Sequence, residues 1–353
     1  MRVAIDVSPI TSGHFLQHRV RGTGFYLNNL KDALTEVYGK DEFIFVKRGE
    51  KIPSSIDLIH YPYFEPFFIT LPLRKTVRTV ITVHDLTPLV FKSDFPAGVK
   101  GVAKWQIQKK VLKNSDLIIT DSESSKKDIV KIVGYEESRV RVIYLAAAKH
   151  FRQITEEKKK EIVKKFNLPN SFILYVGDVT PNKNLPRLIE SINKTHYPLV
   201  IVGQAFKNTG YDKSNPWNKD LKRAQEEAAK NKKIISLGFV QDEDLVALYN
   251  AATALIMPSL YEGFGLPILE AMQSGCPVIT SKSGSLSEVS GNGAHFIDPM
   301  NVESIKEGIE AVFSDEKLRE SLIKRGFENV KKFSWEKTAK ETYASYQEVL
   351  KVL

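Results

Sequence analysis

Two glutamates, Glu262 and Glu270, lie eight positions apart around a glycine-containing loop. An ionised carboxylate accepts hydrogen bonds at both oxygens, which suits the adjacent hydroxyls of a sugar or a ribose. The residues that lead into the expected helix are Gly263, Phe264, Gly265 and Leu266. Glycine lets the backbone approach a ligand closely, and the free N–H groups of a helix start favour an anion such as a diphosphate. A helix-start loop with two carboxylates favoured by the helix dipole explains the same residues equally well.

A lysine and a histidine follow other apolar runs. Lys183 comes shortly after a glycine-ended run in the second half of the chain, and His84 directly follows the run TVITV. Ligands bind at the carboxyl ends of parallel strands, so both residues are candidates for the site. His60 also follows an apolar run, and we interpret it as structural. Asp85 fits a cap of the next turn.

Short β-branched runs alternate with amphipathic helical stretches, which predicts an α/β protein with parallel strands. The expected strands of the first half are Val3–Val7, Glu42–Lys47, Leu58–His60, Val77–Val83, Asp116–Thr120 and Val140–Ile143. Those of the second half are Phe172–Gly177, Pro198–Val202, Ile234–Leu237, Thr253–Met257 and Pro277–Thr280. These series predict two Rossmann-like domains, residues 1–160 and 161–337, that face each other across a central cleft. A closing helix near residues 338–353 fits either domain, including a return to the first.

The chain has 353 residues and a net charge of +9, and residues 1–150 contain 23 Lys and Arg against 16 Asp and Glu. Part of this excess falls on one stretch, which contains Lys100, Lys104, Trp105, Lys109, Lys110 and Lys113. We favour a solvated helix face, because runs of charge usually remain in water. The alternative is a basic amphipathic surface in weak peripheral contact with anionic lipid. The usual nucleic-acid-binding motifs are absent, so we expect no nucleic-acid partner.

The N-terminal residues lack the features of a signal peptide, and no apolar stretch approaches the ~20 residues of a membrane-spanning helix. The single cysteine, Cys276, excludes an internal disulfide. We therefore expect a cytoplasmic protein, with the inner face of the membrane as the place of any lipid contact.

The segment YEGFGLPILEAMQSGCPVI, with its Glu-x7-Glu spacing, resembles the signature of the retaining glycosyltransferases of family 4. Further similar segments cover essentially the whole chain in the family's order. The resemblance implies the two-domain GT-B fold. It also implies that Glu270 holds the ribose of a donor nucleotide, Glu262 contacts the transferred sugar and Lys183 binds the donor diphosphate. His84 corresponds to the family's residue beside the donor sugar, which contacts its 6-hydroxyl.

Four more residues enter the expected donor site through the same resemblance. Phe239 and Val240 lie in the segment whose backbone contacts the nucleotide base, and Gly22 and Gly24 lie in a loop that approaches the donor phosphate. That loop lacks the third glycine of a dinucleotide-binding fingerprint.

The chain departs from the family pattern at one phosphate-binding position. It has Asp178 where the family usually has an arginine. The second cation for the diphosphate therefore stays open, with Lys282 and Arg21 as weak candidates.

The activity that the resemblance implies is the retaining transfer of a hexose, with mannose from GDP-mannose favoured, to a hydroxyl of a glycan or a lipid-linked saccharide. We expect no cofactor and no metal, and we interpret Asp242, Glu243 and Asp244 as helix-start residues. The alternatives are a sugar-nucleotide epimerase of the same fold and a non-catalytic sugar-nucleotide-binding protein.

Overall fold

The apolar runs form two six-stranded sheets, and the paired strands are parallel throughout. The computed structural model describes residues 1–11 and 21–351. The strands of the first sheet are β1 (Val3–Asp6), β2 (Phe43–Val46), β3 (Leu58–Tyr61), β4 (Arg78–Thr82), β5 (Leu117–Thr120) and β6 (Val140–Val142). Those of the second are β7 (Ile173–Val176), β8 (Leu199–Val202), β9 (Ile234–Gly238), β10 (Ala254–Met257), β11 (Val278–Thr280) and β12 (Ala294–Phe296). The predicted α/β class with two parallel sheets is confirmed.

Helices connect the parallel strands, as parallel pairing requires. In the first half they are α1 (Arg21–Tyr38), α2 (Thr87–Val90), α3 (Gly98–Lys113) and α4 (Glu123–Asp128). Then follow α5 (Glu156–Lys165), α6 (Leu185–Asn193), α7 (Gln204–Lys207), α8 (Lys219–Ala228), α9 (Asp242–Ala251), α10 (Leu266–Gln273), α11 (Leu286–Ser290), α12 (Val302–Ser314), α13 (Glu316–Val330) and α14 (Trp335–Lys351). Among the described helices, none is long and apolar enough to cross a membrane.

One strand, β12, was missing from the sequence prediction. It is only three residues long, follows a turn with two glycines and pairs with β11 at the edge of its sheet. A run of three residues shows no measurable alternation, so its strand conformation depends on pairing with β11.

The order of strands in the second sheet is β12-β11-β10-β7-β8-β9. The chain runs outward from β7 in one direction and then, from β10, in the other, so the direction reverses between these two neighbouring strands. Ligands of doubly wound sheets bind beyond the carboxyl ends of the strands at such a reversal. The loops after β7 and β10 are therefore where a ligand site is expected.

The chain divides into two compact units. The first contains residues 1–92, 96–146 and 333–353, and the second contains residues 93–95 and 147–332. The last helix, α14, thus belongs to the first unit, where the ring of Tyr343 stacks on that of Tyr38 at 3.7 Å between centroids. The Thr338 hydroxyl also donates to the carbonyl of Tyr144 at 2.7 Å.

A fully buried histidine links α14 to the first sheet. His60 Nδ1 lies 2.7 Å from the Tyr346 hydroxyl, and Nε2 lies 2.8 Å from the Thr82 hydroxyl. The Thr82 hydroxyl in turn lies 3.1 Å from that of Tyr26 on α1. Burial, together with the charge of His84, lowers the pKa of His60 to about 3. His60 is therefore neutral at physiological pH and serves as a structural hydrogen-bonding group.

Candidate functional site

A lysine–glutamate ion pair lies in the second unit where the strand order reverses. Lys183 ends a single 3-10 turn shortly after β7, and Glu262 lies in the loop after the neighbouring strand β10. Lys183 Nζ is 2.8 Å from Glu262 Oε1 and 2.6 Å from Oε2. The two side chains are 23% and 8% exposed. Since an ammonium has three N–H groups, one remains for an anionic ligand.

The turn that contains Lys183 is tied to the loop that contains Glu262. The Asn182 side-chain amide donates to the carbonyl of Tyr261 at 3.0 Å, and the N–H of Leu260 donates to the carbonyl of Asn182 at 2.7 Å. These hydrogen bonds fix the relative positions of the two segments. The Lys183 and Glu262 side chains are therefore held close together by the backbone as well as by their own attraction.

Ser285 and Gly284 hold the Glu262 loop from the other side. The buried Ser285 hydroxyl lies 3.0 Å from the carbonyl of Glu262 and 2.7 Å from that of Phe264. Gly284 has φ +60°, and a Cβ there would lie 2.8 Å from the Glu262 carbonyl oxygen and 2.9 Å from its nitrogen. Only glycine fits this contact without a shift of the backbone.

The loop ends at Gly265, which precedes α10. Gly265 has φ +103°, and a Cβ there would meet the side chain of Leu286 at 3.0 Å. Phe264 is buried, and Leu266 is the first residue of the helix. The structure thus places the predicted segment from Gly263 to Leu266 directly at a helix N-terminus, as the sequence indicated.

Glu270 is the other predicted carboxylate, and it is only 8% exposed. The Tyr249 hydroxyl on α9 donates to its Oε2 at 2.8 Å. The pKa of Glu270 is raised to about 7, mainly by burial; the Tyr249 hydrogen bond opposes this rise and the nearby charge of Asp242 adds to it. A carboxyl group with this pKa changes its charge near neutral pH. A ligand hydroxyl that donates a hydrogen bond to it would stabilise the ionised form.

Phe239 and Val240 follow β9 at the carboxyl edge of the same sheet. The Phe239 side chain is 60% exposed, which is unusual for a large aromatic ring, whereas Val240 is buried. Gly238 before them has φ +74°. The turn therefore presents an aromatic face to solvent at the edge where Glu262 and Lys183 also lie.

A second candidate pair lies in the first unit. His84 follows β4 and Asp121 follows the neighbouring strand β5, and His84 Nδ1 is 2.6 Å from Asp121 Oδ2. Burial opposes the charged imidazole ring, but the charge of Asp121 and its hydrogen bond outweigh burial and raise the pKa of His84. Tyr26 packs edge-on against the ring at 4.7 Å. Asp121 therefore fixes the orientation of His84 and favours its protonated form.

The other ring nitrogen of His84, Nε2, is buried and makes no hydrogen bond of good geometry with a described residue, although a backbone interaction with Pro62 also helps to raise the pKa of the ring. A buried polar atom without a partner costs free energy. A ligand hydroxyl that reached this nitrogen would remove that cost.

The structure corrects the conformation expected at Gly22 and Gly24. Both lie in the first turn of α1 rather than in a loop. A Cβ at Gly22 would meet nothing within 4 Å, and one at Gly24 would meet only the side chain of Ile10 at 3.7 Å. Neither position requires glycine for steric reasons, and their contact with a donor phosphate stays a prediction.

The candidates for a second cation gain no support from the contacts. The ammonium of Lys282 lies 5.3 Å from the centroid of the Phe296 ring, and the side chain of Arg21 lies outside the described part of the structure. Asp242, Glu243 and Asp244 form the first turn of α9. Within residues 1–11 and 21–351, no group of three or more His, Cys, Asp or Glu side chains could hold a metal ion.

Several contributing residues were missed by sequence reasoning, namely Asp121, Asn182, Tyr249, Gly284 and Ser285. Asp121 offered a signal, because it directly follows an apolar run, as His84 does. Tyr249 lies in the last turn of α9, where nothing in the sequence indicates its partner 21 positions away.

Two family models match this chain. The model described as "Glycosyl transferases group 1" matches residues 156–329, and "Glycosyltransferase Family 4" matches residues 30–147. The chain is 31% identical over 298 residues to O-antigen chain mannosyltransferase B of Escherichia coli, which covers 82% of this chain and 75% of that protein. It is 30% identical to the serotype-specific mannosyltransferase WbdA of Escherichia coli over 74% of this chain, but spans only 32% of that protein.

Solved structures share the fold over almost the whole chain. Sucrose-phosphate synthase from Thermosynechococcus elongatus aligns with a TM-score of 0.76 at 19% identity, over 98% of each chain. Anabaena Alr3699/HepE in complex with UDP-glucose aligns with a TM-score of 0.73 at 15% identity, over 99% of this chain and 100% of that one. These similarities establish the architecture of the two units.

The Gly284 contact generates a stability prediction. In Gly284→Ala the methyl group meets the backbone of Glu262 at a positive φ, so we expect the free energy of unfolding of the second unit to fall by roughly 1–3 kcal/mol. The control is Gly210→Ala in the same unit, where the nearest atom to a Cβ is 3.5 Å away and no positive φ occurs. Urea unfolding followed by circular dichroism measures both, and equal stabilities in the two variants would contradict the steric argument.

Proposed function

Because the chain belongs to the glycosyltransferases of group 1 and family 4, which have the GT-B fold, we propose that it transfers a hexose from a nucleotide diphosphate sugar to an acceptor hydroxyl. The acceptor is a glycan or a lipid-linked saccharide. Mannose is favoured because two relatives at about 30% identity are named mannosyltransferases. The observation that carries the proposal is the Lys183–Glu262 pair at the point where the strand order reverses, next to a glycine-led helix start.

In this proposal the donor nucleotide binds at the carboxyl edge of the second sheet. Glu270 accepts hydrogen bonds from the ribose, and the base lies near Phe239 and Val240. The diphosphate binds the remaining N–H of Lys183 and the N–H groups at the start of α10, where the helix dipole favours negative charge. This arrangement needs no metal ion, because the lysine and the backbone dipoles offset the phosphate charge.

The transfer step retains configuration in this proposal. The bond between the anomeric carbon and the diphosphate oxygen breaks, and the acceptor oxygen bonds to the same face of the sugar. The acceptor proton moves to an oxygen of the departing diphosphate. Lys183 and the α10 N-terminus stabilise the charge that grows on this leaving group. Glu262 is held by the ammonium of Lys183 and therefore positions the sugar rather than attacking it.

In this proposal, His84 forms a hydrogen bond to a hydroxyl of the hexose. Its Nδ1 is committed to Asp121, so Nε2 is the nitrogen left for a sugar hydroxyl. Nε2 is buried, so a sugar hydroxyl reaches it only if the groups that cover it move. Asp121 then acts as a positioning residue, since it fixes the ring and its protonation without touching substrate.

The test of the proposed function is product formation over a panel of nucleotide sugars and saccharide acceptors. We expect a mass increase of one hexose on the acceptor, an anomeric configuration by NMR equal to that of the donor, and full activity in excess chelator. Incubation with donor alone separates an epimerase, which would change the donor without an acceptor. Donor binding without turnover over the whole panel would favour a non-catalytic binding protein, and rescue of a chelated enzyme by magnesium would overturn the metal-independent mechanism.

The pKa of Glu270 generates a prediction about donor binding. Since the ionised carboxylate is the better acceptor for ribose hydroxyls and its pKa is about 7, affinity for the donor should fall up to about tenfold from pH 8 to pH 6. Glu270→Gln should weaken binding about tenfold and remove this pH dependence, whereas Lys183→Ala should weaken binding and keep it. Calorimetry with an intact nucleotide sugar measures both effects.

The control for this series is Glu307→Gln, which changes an exposed carboxylate on α12 and should leave affinity unchanged. If Glu270→Gln shows the pH dependence of the wild type, another group titrates and the ribose assignment is wrong.

The Asp121–His84 pair generates a prediction about the pH profile of turnover. Asp121→Asn removes the charge that favours the imidazolium, so the alkaline limb of the kcat profile should move to lower pH. Asp85→Asn is the control, because Asp85 also raises the pKa of His84 but ranks below Asp121 as a cause, so its shift should be smaller. A lowered kcat with an unmoved alkaline limb in Asp121→Asn would mean that Asp121 is only structural.

A further inference from the structure

Helix α3 exposes apolar side chains on its outward face. Its buried residues are Gly101, Trp105, Gln108 and Leu112. On the opposite side Val99 is 88% exposed, Val102 is 51% exposed and Ile107 is 43% exposed. A surface helix normally places polar residues outward, so three large apolar residues there require an explanation. Single exposed apolar residues scattered over a surface are normal, but these three residues lie on the same helix.

The charges on α3 are all of one sign. The helix contains five lysines and neither aspartate nor glutamate. Lys100, Lys110 and Lys113 are exposed beside the apolar residues. No acidic residue of the helix neutralises them, so this face attracts anions.

The structure also corrects the set of residues first considered for such a surface. Trp105 is buried, and the Lys109 ammonium donates to the carbonyl of Ile132 at 2.7 Å. Lys104 is partly buried, with its ammonium 5.5 Å from the centroid of the Phe68 ring. These three residues face the protein. The docking face, as defined from here on, consists of Val99, Lys100, Val102, Ile107, Lys110 and Lys113.

An exposed leucine lies on a loop beside the same helix. Leu73 is 63% exposed, and Lys75 of its loop donates to the carbonyl of Asn114 at the C-terminal end of α3 at 3.2 Å. The neighbouring Arg74 is exposed. The loop therefore exposes an apolar side chain next to a cationic one, as α3 does.

We propose that the docking face of α3 binds the surface of an anionic phospholipid bilayer. Valine and isoleucine side chains enter the boundary between headgroups and acyl chains, while long lysine side chains keep their ammonium groups at the lipid phosphates. Each lysine adds a modest attraction that fades as salt shortens the Debye length. This interaction goes beyond the transfer reaction and is measured without donor or acceptor, so the failure of one proposal leaves the other intact.

The test is flotation of the full chain with vesicles of neutral phosphatidylcholine or of phosphatidylcholine with phosphatidylglycerol. At low salt we expect binding to the anionic vesicles at least tenfold stronger than to the neutral ones, and loss of that preference at high salt. The charge variant Lys100→Gln/Lys110→Gln/Lys113→Gln should lose the preference for anionic lipid. The apolar variant Val99→Ser/Val102→Ser/Ile107→Ser should bind more weakly but keep its salt dependence.

The matched control is Lys158→Gln/Lys160→Gln/Lys164→Gln, which removes three exposed lysines from α5. It should bind vesicles as the wild type does, because the total charge is lowered equally but the docking face is intact. Equal loss in both charge variants, or equal wild-type binding to neutral and anionic vesicles, would overturn the proposal. Sedimentation velocity without lipid tests the alternative that the docking face binds a second copy of the chain. If the wild type forms a dimer and the apolar variant does not, the face is a dimer interface and the lipid proposal is wrong.

Discussion

Parallel pairing fixes where chemistry is located in this protein, because all strands of a parallel sheet end at the same edge. Lys183 and Glu262 are 79 positions apart, but they follow β7 and β10, which are hydrogen-bonded neighbours. His84 and Asp121 follow β4 and β5, which are also neighbours. A change of register by one residue would turn the side chains at these strand ends to the other face of the sheet. The apolar strands therefore do more than form a core, since their register also sets the distances within both candidate pairs.

The second unit holds two carboxylates in different electrostatic settings. Glu262 is buried but paired with an ammonium, whereas the nearest partner of Glu270 is a tyrosine hydroxyl. Removing a carboxylate from water is costly unless a cation or hydrogen-bond donors replace the solvent. The first carboxylate is thus stabilised by a cation, whereas the second is not; in the proposed function, ribose hydroxyls supply the donors that the second carboxylate lacks. This difference fits a fixed sugar-positioning group and a ligand-responsive nucleotide group.

The first unit uses two histidines in opposite ways. His60 is fully buried between two hydroxyls, and its pKa falls to about 3. His84 lies against Asp121, and its pKa is raised. Both follow apolar runs in the sequence, so sequence position alone does not separate them. The hydrogen bond between His60 and Tyr346 also holds α14 against the first sheet. The C-terminal helix is therefore part of the first unit.

The sequence by itself determined the α/β class, most strands and the loop from Glu262 to Glu270, because hydrophobic periodicity and glycine–proline punctuation are local properties. Tertiary structure alone decided the partners, since Asp121 meets His84 only through strand pairing and Ser285 meets Glu262 only through loop packing. It also decided which side of α3 faces solvent. Valines and lysines are distributed around that helix without a clear apolar stripe. Its orientation therefore depends on tertiary packing, such as that of Trp105 against Phe64, rather than on its own sequence pattern.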